Sequence, residues 1–104
     1  MGDWKAVTTT KTGKMRNRRD DIEYLLWQVR KMQAEQQIRP FAFHRAVVLL
    51  VRDERFIEAL AICEYVQRWC VRAEAYHDGT SEMIWKSPRL RNCIERIDQL
   101  YGNL

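Results

Sequence analysis

Residues that interrupt helices are scarce in this chain: four glycines and two prolines among 104 residues. All six fall outside the proposed helix interiors, and no stretch alternates convincingly as a strand would. That agreement excludes a β-rich fold and predicts an all-α bundle. Cysteines number three, an odd count with no framework spacing. This argues against a disulfide scaffold and for reduced thiols in a reducing compartment. Long apolar runs are missing as well. The longest, residues 46–51, is far too short to span a membrane. The N-terminus has no apolar run of the secretory type. Met1-Gly2 opens like a myristoylation signal, but Ala6 stands where that signal needs Ser or Thr. The expectation is a soluble, cytoplasmic protein with no membrane partner.

What is there is a folding composition, with 46% hydrophobic and 11% aromatic residues. A chain of this length is one domain and buries roughly 65% of its unfolded surface. The net charge of +4 is unevenly spread. Residues 1–19 carry six basic residues against Asp3, whereas residues 20–104 carry twelve basic and thirteen acidic residues. Residues 1–14, with Thr8-Thr9-Thr10 and Gly13, show no helical period. The expected organisation is a flexible basic N-terminal arm over 1–19 and a single helical domain over 20–104.

Four main helices are predicted in that domain. The first runs over about 21–37, with Ile22, Leu25, Leu26, Val29 and Met32 as its buried stripe. Asp20 and Glu23 resemble a capping box at its start. Pro40 begins a second helix that ends at 51 or 52, with Phe43, Ala46, Val47 and Leu50 on its main face and Arg45 and Arg52 on its solvent side. The third, over 54–76, is the expected hub. Phe56, Ala59, Leu60, Cys63, Val66 and Cys70 form one stripe, and Ile57, Ala61, Ile62, Tyr65 and Trp69 form a second beside it. Asp53 is placed to cap its start and Gly79 to end it. The four-residue link 52–55 makes the second and third helices an antiparallel central hairpin. Residues 80–86 read as a short turn or an irregular plug on the core. Ser87-Pro88 then starts a last helix carrying Leu90, Cys93, Ile94, Ile97, Leu100 and Tyr101, which Gly102 can close.

The hairpin resembles a tetratricopeptide-type helical pair. Phe56, Glu58, Ala59 and Leu60 match its aromatic and Glu-Ala-Leu step, and Phe43 and Leu50 sit at its large positions in the preceding helix. Val47, Val66 and Val71 stand where that repeat carries two small residues and a proline, and no second copy occurs. The resemblance implies a helical hairpin and points toward protein binding.

Catalytic signatures are missing too. The sequence holds no C-x-x-C, no H-E-x-x-H and no glycine-rich phosphate loop; Thr12-Gly13-Lys14 is a bare fragment of one. The available metal ligands are Cys63, Cys70, Cys93, His44 and His77. Cys63 and Cys70 lie two turns apart on one helix, about 10 Å, too far to share a zinc ion. Three buried, inert thiols are expected, with no metal, no cofactor and no enzymatic activity. His77-Asp78 reads as a helix end, where His77 meets the negative pole of the dipole.

Two binding readings remain. Trp4, Trp27 and Trp85, with Arg45 and Arg52, have the composition of interface hot spots. They suit a non-enzymatic interaction module, a small inhibitor or adaptor that occupies a surface of a protein or nucleoprotein partner. A homodimer is one form this could take. The alternative is sequence-independent nucleic-acid binding, with Lys11, Lys14, Arg16, Arg18 and Arg19 neutralising phosphates and Arg45, Arg52 and Arg55 extending the patch.

Overall fold

The computed structural model describes residues 21–77 and 83–104. Within them the chain forms five α-helices: α1 (Ile22–Ala34), α2 (Pro40–Arg52), α3 (Phe56–Ala75), α4 (Pro88–Glu95) and α5 (Ile97–Tyr101). A 3-10 turn, Ile84–Lys86, precedes α4, and no strand occurs among the described residues. The protein is an all-α bundle, as the sequence predicts. Residues 1–20 and 78–82, including the basic arm and Gly79, lie outside the described residues.

Each helix starts for a local reason. Asp21 opens α1, its Oδ1 accepting from the backbone N–H of Glu23 at 3.1 Å and of Tyr24 at 3.2 Å. The cap is thus Asp21, one residue beyond the expected Asp20, because its carboxylate already reaches the otherwise unpaired amides of the first turn. Pro40 and Pro88 begin α2 and α4, where a missing N–H costs nothing. Asp53 does not cap α3. It is the last residue of the α2 end, and its carboxylate accepts from Arg52 Nε at 3.2 Å. The start of α3 has no side-chain cap. Instead Arg55 forks onto Glu58, at 2.7 and 2.9 Å, within the first turn.

The ends of α1 and α2 share one device. Gln37 N donates to Met32 O at 2.8 Å and Gln36 N to Gln33 O at 3.0 Å; Arg55 N donates to Leu50 O at 2.8 Å and Glu54 N to Val51 O at 3.0 Å. These are paired Schellman bonds, with Gln36 (φ 56°) and Glu54 (φ 59°) in the left-handed region. They stop α1 at Ala34, three residues before the expected end, and fold α3 back against α2.

The core is one cluster built from every helix. Phe43, Ala46, Val47 and Leu50 of α2 are fully buried, as are Ala59, Cys63 and Val66 of α3 and Leu90 and Cys93 of α4. Helix α2 packs on α1, α3 and α4, while α3 packs on α2, α4, α5 and the 3-10 turn. The hub is therefore the hairpin, shared between α2 and α3. The expected fourth helix is broken at Arg96, whose N–H splits between Asn92 O and Cys93 O, both at 3.2 Å. The break lets α5 seat on α3, where Tyr101 donates to Glu64.

Candidate interaction surface

Of the sequence-predicted partner residues, Trp4 lies outside the described residues, as do Lys11, Lys14, Arg16, Arg18 and Arg19. Trp85 is mainly a core residue and also lines the groove described below. It is 7% exposed, inserted into the core by the 3-10 turn, with the His77 ring edge-on at 4.6 Å. Trp27 is half-buried on α1 and stacks on Tyr24 at 5.8 Å. Arg45 is half-buried on α2, and Arg52, exposed, pairs with Asp53 at 3.2 Å. Arg55 is held by Glu58 and lies 3.6 Å from Glu23. The described ones among them, Trp27, Arg45, Arg52, Arg55 and Trp85, are not gathered into one site.

The structure assembles another on α3. The second stripe of that helix is only partly a core stripe: Ile62 is buried, Ile57 and Ala61 face solvent, and Tyr65 and Trp69 are half-buried. The reason is the loop between α1 and α2. Tyr65 OH donates to Gln37 O at 2.6 Å, Trp69 Nε1 to Gln36 O at 3.2 Å, and Arg72 Nη1 to Gln36 Oε1 at 3.0 Å. Three donors from successive turns of α3 thereby hold one wall of a groove. Its two adjoining parts, of about 220 and about 410 Å³, share Gln36, Trp69 and Arg72. Arg68 lies at one end, and Tyr76, 82% exposed, lies at the other beside His77. Among the described residues, no carboxylate lines either part. Burial holds the Tyr65 hydroxyl above its ordinary range, so it remains a donor at neutral pH.

This groove was legible only in pieces. Positions 65, 69, 72 and 76 repeat at helical steps, and an aromatic–arginine alternation on one face is a usable signal. Counting Tyr65 and Trp69 only as a packing stripe separates them from Arg68 and Arg72, with which they line the groove.

The three cysteines are buried, as expected. A hydrogen bond with Cys93 and then burial push the Cys63 thiol far above its ordinary value, and burial raises Cys70. Both stay protonated at neutral pH and are poor nucleophiles. Among the described residues, no three His, Cys, Asp or Glu side chains converge as a metal site, and no helix is long and apolar enough to cross a membrane.

These features define the class: a small helical bundle with a pre-formed aromatic and cationic groove. No protein-family model, curated protein or solved structure matches the chain.

Proposed function

We propose that the protein is a non-enzymatic interaction module that seats an acidic segment of a protein partner in the α3 groove. The observation that carries this reading is the arrangement of Arg68, Trp69, Arg72 and Tyr76 along one rim, with no acid among the described lining residues. Aromatic and arginine side chains in a held geometry bind with little ordering cost. The resemblance of the α2–α3 hairpin to a protein-binding helical pair points the same way. Such a module acts as an inhibitor or adaptor by occupying its partner's surface. Reduced, buried thiols suit a cytoplasmic setting.

The test is capture from the native host with three baits: the unaltered chain, Lys31→Ala on α1, and Arg68→Glu/Tyr76→Ala in the groove. A specific partner should be retained by the first two and lost by the third, with circular dichroism unchanged. For a purified partner, the double change should weaken binding at least tenfold, about 1.4 kcal/mol. Equal capture by all three baits overturns the reading. If the captured partner is a second copy of the chain, sedimentation of the groove variant should show the monomer alone.

A further inference from the structure

A second surface lies where α4 runs beside α2. The Arg89 guanidinium carbon sits 5.5 Å from the Phe41 ring centroid, and three residues further along each helix His44 Nε2 lies 3.0 Å from Asn92 Oδ1. Equal steps in the same direction make α2 and α4 parallel, with their starts at one end. Asn92 Oδ1 also accepts from Arg96 Nε at 2.8 Å. An oxygen already bound by a guanidinium is an acceptor, so His44 Nε2 is the donor. One amide thus locks the imidazole, the guanidinium and the two helices together.

The electrostatics of this seam are one-sided. Among the described residues, the charges bearing on His44 are Arg96, Arg89 and Arg45. Neither α2 nor α4 has an acid in its first turn, whereas α1, α3 and α5 carry Glu23, Glu58 and Asp98 there. Arg39 and Lys86, both exposed, precede the two starts. By contrast, Arg52 and Arg55 are paired with carboxylates.

We propose that the α2–α4 seam, with Arg89 and Arg96 as its principal cations, binds the phosphodiester backbone of a nucleic acid without reading its bases. Arg89 lies in the first turn of α4 and Arg96 at its end, so the two cations flank Asn92 on the side that meets α2. Guanidinium groups fit phosphate oxygens in a bidentate manner, and the seam presents them with their orientation already set. The proposal is independent of the α3 groove, which uses other residues. It differs from binding by residues 11–19 alone in placing contacts on the folded body.

The probe is a fluorescently labelled DNA duplex titrated with the full chain, read by anisotropy over a range of salt. The background carries Lys11, Lys14, Arg16, Arg18 and Arg19 all changed to Gln, which removes the arm's cations while keeping its length. Binding should persist in this background. Two seam contacts give a log–log salt slope of about −1.8, a loss of about tenfold between 50 and 200 mM salt. Adding Arg89→Gln/Arg96→Gln should abolish that slope, and Arg89→Gln alone, at an exposed position that cannot unfold the core, should reduce it by about 0.9. The charge-matched Arg30→Gln/Lys31→Gln pair on α1 should leave it unchanged. Absence of binding in the arm-neutralised background, an unchanged slope on losing Arg89, or an equal effect of the α1 pair each overturns the proposal. So does capture by vesicles of anionic lipid together with no binding of duplex.

Discussion

His44 makes the most of its surroundings among the single residues. Burial lowers its pKa below 6.5, and the Arg96, Arg89 and Arg45 charges add to this against the opposing hydrogen bond that His44 donates to Asn92. The unfolded chain therefore takes up the proton first as pH falls. The stability His44 contributes is fully present above about pH 6.5 and is lost as pH drops from there toward its lower folded pKa. The melting temperature should fall between about pH 7.5 and about pH 5.5, and His44→Gln, which keeps a donor for Asn92, should flatten part of that fall. Identical pH profiles for the two proteins would remove His44 as the cause. Trp69 illustrates a different economy of contacts: one indole closes the core on one side, ties the α1–α2 loop through Gln36 and lines the groove.

At the level of elements, the helix ends carry a measurable strain. Glu54 holds a left-handed backbone that glycine adopts freely, and its side chain is exposed. Glu54→Gly should stabilise the protein by about 0.5–1 kcal/mol, seen as a higher denaturant midpoint with an unchanged slope. Helix starts were legible in the sequence, because Pro40 and Pro88 announce them by their chemistry. Helix ends were not, because Gln36 and Glu54 do a job for which glycine is the usual sign. Asp20 and Asp21 are adjacent acids that sequence alone ranks alike as caps; the backbone geometry of α1 selects Asp21. The break at Arg96 carries no glycine or proline and left the apolar spacing from Cys93 to Leu100 undisturbed, so a single helix was the natural expectation.

For the whole molecule, one cluster joins residues from every helix, so loss of any large member should be felt throughout. Trp85→Ala should cost about 3–5 kcal/mol and lower a single unfolding transition monitored by circular dichroism and tryptophan fluorescence. Two separated transitions would mean that the end of the bundle near the 3-10 turn folds by itself. The bundle and its hairpin followed from spacing that is local in the chain. The groove and the seam did not, since each depends on residues far apart in sequence: Gln36 with Trp69, and His44 with Asn92. Trp85 makes the same point, because spacing alone cannot say whether a lone indole turns inward.

The parallel placement of α2 and α4 also sets an order of events during synthesis. Helices α1 to α3 can fold back on one another as soon as each emerges from the ribosome, since their links are only a few residues long. The part of the core that α4 completes against α2 and α3 is finished only once Leu90 and Cys93 have been synthesised. Until then the nascent chain has an incomplete hydrophobic core.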